Sequence, residues 1–342
     1  MLRIAIQAPP QDSQRWTLMK QCGVEGAVGG ITLRPKPDAE PEEQPWSYTS
    51  LAQAKAAYEA AGIPLEVIES RPPMEKIKLG LPGRDEEIEV VCELLQNMGK
   101  LGIPVWCYAW MPILGVMRTS RSISSRGGAH VSGFDLNALE SQGDPAERPI
   151  RNIDGVSIAE QEISLGTVTE EQQWANLKYF LERIVPVAEE ANVKLALHPD
   201  DPPLSPIRGI ARIMSSVENY QKLVDLVPSP MNGIGLCQGN FTLMTDDLPS
   251  VIRHFGEQKK IHFLHIRDVV GQPDKFEETF HDDGKTDLVE CLRAYRDIGF
   301  DGVCRPDHYP KMGDEQFGDE QGIARLFAVG YLKGIREAVY AE

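Results

Sequence analysis

Along the chain, short runs of Val, Ile and Leu recur between longer stretches in which apolar residues return every three or four positions. That alternation predicts repeated βα units around a parallel sheet. The predicted strands are RIAIQA (3–8), AVGGITL (27–33), PLEVIES (64–70), IPVWCYA (103–109), VKLALH (193–198), NGIGLC (232–237), IHFLHI (261–266) and GVCRPD (302–307). The helical stretches between them include SLAQAKAAYEAAG, RDEEIEVVCELLQNMGKLG, TEEQQWANLKYFLERIVPVAEEA and TDLVECLRAYRDIG. Several of these close on glycine, which ends a helix in the left-handed region without a Cβ penalty. Eight strands alternating with helices predict an α/β fold, a (β/α)8 TIM barrel forming one domain over residues 1–342. The rival is a doubly wound open sheet, whose dinucleotide site would carry GxGxxG after the first strand. No such turn stands there.

One unit breaks the rhythm. From Met111 to about Gly166 the fourth strand is followed by a long stretch that includes the Ser-, Gly- and Arg-rich MRTSRSISSRGGAH. Loops of this length serve mainly as lids or binding loops, and βα loops lie on the catalytic face of a barrel. Residues 111–166 are therefore expected to form a lid.

Composition narrows the partners. Lys and Arg total 35 against 51 Asp and Glu, a formal net charge of -16, which argues against broad nucleic-acid or anionic-membrane binding. No run of about 18 apolar residues occurs, and the apolar stretch in MLRIAIQAPP is too short for a signal peptide. The six cysteines form no CxxC pair, as expected of reduced thiols. These features predict a cytoplasmic protein acting on a small molecule, and a homo-oligomer, since large barrels often associate.

Barrel enzymes gather their chemistry from the C-terminal ends of several strands. At the ends of the last four predicted strands stand His198, Cys237, His265 and Asp307, each about one βα unit from the next. Two imidazoles, a thiolate and a carboxylate can bind a divalent transition ion and leave positions open for a substrate. Each residue also has a simpler reading. Cys237 can be a small core residue, His198 a cap on the turn PDDPP, His265 a partner of Asp268, and Asp307 a cap on the next loop. The coincidence of four ligand-type side chains on consecutive strands favours the metal site.

The segments HPDDPP (198–203), CQGN (237–240), HIRDV (265–269) and RPDH (305–308), in this order, resemble the signature of the mannonate dehydratase family. VIESRPPMEKIKLGLPGRDEEIE (67–89), CYAWMP (107–112), RT (118–119) and YLKGIREA (331–338) are similar to stretches of the same family, so the resemblance spans nearly the whole chain. It implies a metal-dependent barrel of the xylose-isomerase-like type. It also implies a divalent metal, typically Mn2+, on His198, Cys237, His265 and Asp307. The mixed N, O and S donor set also tolerates Fe2+, Co2+ or Zn2+. The implied reaction is dehydration of D-mannonate, or a close sugar acid, to 2-keto-3-deoxy-D-gluconate and water.

Such a dehydration needs a base for the carbon-bound proton, an acid for the leaving hydroxyl and positive charge near the developing enolate. His308, beside Asp307, is the candidate for proton transfer, and Arg305 joins it as a catalytic candidate. Arg267 and Arg118 are expected to clamp the substrate carboxylate. Asn240, Glu69, Tyr108 and His281 are the other substrate-binding candidates, with Gln238 as a further polyol donor. Asp200 and Asp201 are expected to orient the imidazoles. The simpler readings are surface or structural ion pairs for the arginines, a loop-orienting role for His308 and an exposed loop position for His281.

The chain departs from the family pattern at QAPP after strand one, at LGVMRT after strand four, in TLRPKPDAEPEEQPW, and at Ile323, where a tyrosine is expected. Two other functions share the same metal shell: an isomerase or epimerase working through an enediol, and a non-catalytic sugar-acid-binding relative.

Overall fold

A computed structural model of the 342-residue chain describes residues 1–9, 14–141, 168–313 and 322–342. Among them run twelve strands: β1 (Arg3–Ala8), β2 (Gly26–Gly29), β3 (Leu65–Ile68), β4 (Val105–Ala109), β5 (Ser120–Ser124), β6 (His130–Asp135), β7 (Lys194–His198), β8 (Asn232–Cys237), β9 (Ile261–Ile266), β10 (Val269–Gln272), β11 (Lys275–Glu278) and β12 (Val303–Pro306). Eight of them close into a parallel barrel in the order β1-β12-β9-β8-β7-β4-β3-β2. These eight are the strands that the hydrophobic runs predicted.

The helices form for the reasons written in the sequence. Thr169 caps the helix Glu170–Ala191 in a reciprocal box with Gln172, satisfying amides that would otherwise lack partners. The helix Arg84–Leu101 opens on Asp85, Glu86 and Glu87, which suit its positive end, and stops at Gly102 with φ of 67°. Its buried face, including Val91, Leu94, Leu95 and Met98, joins the layer between helices and barrel.

Within the lumen, Ala5, Val28, Val67, Val105, Cys107, Ala196, Phe263 and Val303 form a separate buried cluster. Small and β-branched side chains fill the narrow interior as a packed plug. Alternation along a strand then fixes which later residues point inward. Two positions beyond Ala5, Val67, Ala196, Phe263 and Val303 come Gln7, Glu69, His198, His265 and Arg305. The apolar plug is therefore the floor on which a polar layer stands.

The remaining four strands make a second sheet, antiparallel, in the order β10-β11-β6-β5. The predicted loop after strand four thus contains two strands, paired with a hairpin that follows β9. The later part of the expected lid, 142–166, lies outside the described residues.

Candidate active site

The polar layer is assembled by strand register. Cys237, last residue of β8, pairs with His265 of β9, and Arg305 of β12 pairs with His265 on its other side. His198 closes β7, and Asp307 follows β12 with its amide bonded to the Ile266 carbonyl at 2.9 Å. Three consecutive barrel strands and the turn after a fourth therefore deliver their chemistry to one point.

His198, Cys237 and His265 each offer a ligand atom, all within 4.8 Å of one another. His198 Nδ1 lies 2.8 Å from the Pro199 carbonyl, so it carries the hydrogen and leaves Nε2 as the electron-pair donor. That Nε2 is 3.1 Å from His265 Nδ1, which is in turn 3.3 Å from Asp307 Oδ2. Burial alone would raise the pKa of Cys237, but Arg267, 3.6 Å away, and the two imidazoles hold it well below the ordinary thiol range. The sulfur is thus favoured as thiolate, the form that binds metal. Two imidazole nitrogens, a thiolate and a carboxylate converging on one point fit a divalent transition ion.

A second trio, Glu69, Cys107 and His265, is equally compact and chemically different. Arg305 Nη2 donates to Glu69 Oε1 at 3.0 Å, and its Nε lies 2.8 Å from Oε2. The trio already has a cation. Burial, followed by the nearby Glu69 charge, raises the Cys107 thiol well above its usual pKa, so it stays neutral. This set does not fit an ion.

Behind the metal-type donors lies a closed ring of four buried charges. Arg118 binds both oxygens of Asp201, at 2.7 and 2.8 Å, and reaches Glu278 Oε1 at 2.6 Å. Arg267 completes the circle, 2.8 Å from Asp201 Oδ2 and 2.8 Å from each oxygen of Glu278. Burial pushes both carboxyls upward in pKa, but the two guanidiniums reverse this, holding Asp201 far below its normal range and, with His308, Glu278 at about 2. His308 leans on the ring with Nδ1 2.9 Å from Glu278 Oε1, while its Nε2 lies 3.4 Å from Asp307 Oδ2.

A cavity of about 520 Å³ opens above these groups, large enough for a six-carbon acid. Arg305, Asp307, His308 and Gln7 line its depth, and Arg121, Lys311, Tyr309 and Arg325 stand in its walls. Gln7, from the QAPP segment, accepts a hydrogen bond from Arg305 Nη1 at 3.1 Å. Ile323 sits half-buried in the first turn of the helix Gly322–Ala341 and does not line the cavity, whereas Arg325 does.

The geometry gives several of the expected substrate contacts partners within the protein. Tyr108 points away from the mouth: Val105 and Cys107 face the lumen, so Tyr108 faces the helices, stacked on Trp106 and edge-on to Phe180. Asn240 is buried, donating to the Asp200 carbonyl at 3.0 Å and accepting from Arg267 at 2.7 Å. Arg267 is buried, with its nitrogens bonded to Asp201, Glu278, Asn240 and Cys237. Arg118 reaches the cavity wall with its guanidinium paired to Asp201 and Glu278.

His281 is buried, neutral and bonded through Nε2 to the Ile266 carbonyl at 2.9 Å; burial pushes its pKa down to about 4. Gln238 is buried outside the cavity lining. Asp200 and Asp201 make no hydrogen bond to the imidazoles; Asp200 accepts from the Met214 amide at 2.7 Å and pairs with Arg212. Asp268 likewise serves Thr286 and Val269, not His265. Glu69 is held by Arg305 and His265, in the polar layer itself. Glu278, which joins the ring to His308, carried no recognisable signal: it stands on a short strand outside the barrel.

The closed barrel with polar chemistry at its strand ends defines the class. The chain is similar at the level of fold to a xylose isomerase domain protein from Planctomyces limnophilus, with a TM-score of 0.59 at 12% identity, covering 100% of this chain and 99% of that one. The family follows from nearer likenesses. A family model described as D-mannonate dehydratase (UxuA) matches residues 5–342. The mannonate dehydratase of Thermotoga neapolitana is 37% identical over 335 residues, covering 93% of this chain and 91% of that protein. Mannonate dehydratase 2 of Halalkalibacterium halodurans is 35% identical over 354 residues, covering 96% and 97%. The crystal structure of mannonate dehydratase from Streptococcus suis serotype 2 superimposes with a TM-score of 0.87 at 29% identity, over 100% of this chain and 95% of that one. The chain belongs to the mannonate dehydratase family, a family of hydro-lyases.

Proposed function

We propose that this protein removes water from D-mannonate, or a close sugar acid, to give 2-keto-3-deoxy-D-gluconate. We assign His198, Cys237, His265 and Asp307 as the ligands of a divalent ion, Mn2+ first among those that suit the set. The observation that carries the reading is the convergence of these donors on one point, with Asp307 among them lining a cavity that also presents His308 and Arg305. When bound, the ion supplies Lewis acidity that offsets negative charge on substrate oxygens.

The protein's own groups supply the rest. His308 faces the cavity with its Nδ1 engaged by Glu278, leaving Nε2 to take the proton from the carbon beside the substrate carboxylate. The neighbouring hydroxyl departs with a proton as water, and that proton is the one His308 has gained. The enol left behind becomes the ketone by taking a proton at the carbon that lost the hydroxyl and releasing the proton of its own O–H. Arg305, fixed by Glu69, Asp307 and Gln7, stays charged and favours the enolate-like state electrostatically. Val116, Arg118 and Arg121 from the segment after β4 wall one side of the cavity, which supports a covering role for that segment. Six unpaired thiols fit a reducing, cytoplasmic setting.

The test is incubation of the metal-loaded protein with D-mannonate. A 2-keto-3-deoxy acid is expected; a stereoisomer formed without loss of water would assign an isomerase instead. Tight binding of the acid without turnover would mark a non-catalytic relative.

A further inference from the structure

The geometry points to Glu278 as the positioning residue of His308, a side chain that holds the imidazole with its hydrogen on Nδ1 and its bare Nε2 toward the cavity. This rests on the proposed role of His308 in moving the substrate proton.

A carboxylate only accepts hydrogen bonds, so the 2.9 Å contact between Glu278 Oε1 and His308 Nδ1 requires a hydrogen on Nδ1. The other tautomer would turn two electron pairs toward each other at that distance. Its compensations are weak by comparison, with Arg118 Nη2 3.4 Å from Nδ1 and Asp307 Oδ2 3.4 Å from Nε2.

Glu278 is itself immobilised. Both oxygens are bound by Arg267 at 2.8 Å, Arg118 adds a contact at 2.6 Å, and its side chain is 3% exposed. His308 cannot readily turn away either. Its φ of 51° is a left-handed conformation that a non-glycine residue adopts only when its surroundings impose it. Two backbone bonds between Lys311 and His130, at 3.1 and 2.8 Å, tie the end of the His308 loop to β6.

The same sheet carries Glu278, as the last residue of β11 beside β6. That pairing is close enough to exclude a side chain at Gly133, where a Cβ would meet the Phe276 carbonyl oxygen at 2.8 Å. The sheet outside the barrel is in this view the frame that brings carboxylate and imidazole together.

The test begins with the unaltered sequence. Two-bond 15N–1H correlation spectra of the Zn2+-loaded enzyme, recorded alkaline enough for the ring to be neutral, report which nitrogen bears hydrogen, and H308Q identifies the signal. Hydrogen on Nδ1 is expected; hydrogen on Nε2 overturns the inference, whatever the enzyme's substrate proves to be.

Kinetics of E278Q provide the second arm: kcat should fall roughly 10- to 100-fold, as when an outer partner of a working histidine is lost. KM and metal content should stay near wild type, and E278D should recover part of kcat. Wild-type kcat in folded E278Q overturns the inference. If E278Q does not fold, the tautomer measurement decides alone. If the wild-type enzyme does not dehydrate mannonate, the functional reading fails and that same spectrum still tests Glu278.

Discussion

Arg267 Nη1 donates to the sulfur of Cys237 at 3.6 Å, linking the metal-type donors to the buried charge ring behind them. The same nitrogen binds Asp201 at 2.8 Å, and neither Arg267 nor Asp201 has more than 1% of its side chain exposed. Removing one charge from such a pair leaves its partner buried and unpaired, which costs about 3–5 kcal/mol. Arg267→Met is expected to lose that much stability in denaturant unfolding. Adding Asp201→Asn should cost less than the sum of the two single changes. A loss below about 1 kcal/mol in Arg267→Met would contradict the ring's importance.

Metal content distinguishes the two compact donor sets. One divalent ion per chain is expected, because Arg305 occupies the Glu69 trio. Cys237→Ser and His265→Ala should lose most of the ion on dialysis, whereas Cys107→Ser should keep it. Two ions per chain, or undiminished metal in Cys237→Ser, would contradict the assignment.

The position of Tyr108 gives a negative expectation. Its hydroxyl is buried with no partner among the described residues, against the helix that carries Phe180. Tyr108→Phe removes an unsatisfied polar atom and should leave stability unchanged or raised, with KM for the sugar acid unaltered. A large rise in KM would return Tyr108 to the substrate site.

Stability should also depend on pH through His262. The ring is buried, donates from Nδ1 to the Leu195 carbonyl at 2.9 Å, and is pushed by that burial from 6.5 down to about 4. Below pH 6.5 the unfolded chain takes up a proton that the folded chain refuses. Stability present above that pH is therefore lost as pH falls toward 4, by on the order of 3 kcal/mol. Denaturant unfolding near neutrality and at about pH 4 should show a smaller difference in His262→Asn than in wild type; equal differences would refute the role of this ring.

The barrel was legible because its strands are apolar runs with helical periods between them. His198, Cys237, His265 and Asp307 were legible because strand ends recur at one unit's spacing. The second sheet was not, since SRSIS, VVGQ and KFEE are short and mostly exposed, with little apolar alternation to mark them. Without that sheet, Arg118 and Arg267 read as open clamps. Asp201 lies 83 residues from Arg118 and 66 from Arg267, and Glu278 lies 160 from Arg118, so only the folded chain brings the four together. Tyr108 faces the helices for a local reason, because parity on β4 sends Cys107 inward and its neighbour out.

Dehydration of a sugar acid at this barrel mouth is the proposal that unites fold, site and family. Its most direct test is a mass measurement of the products formed by the Mn2+-loaded protein from a panel of hexonates and neutral ketohexoses. D-Mannonate, or a close hexonate, is expected to lose the mass of one water while the ketohexoses are untouched. Epimerised ketohexose with every hexonate unchanged would contradict it.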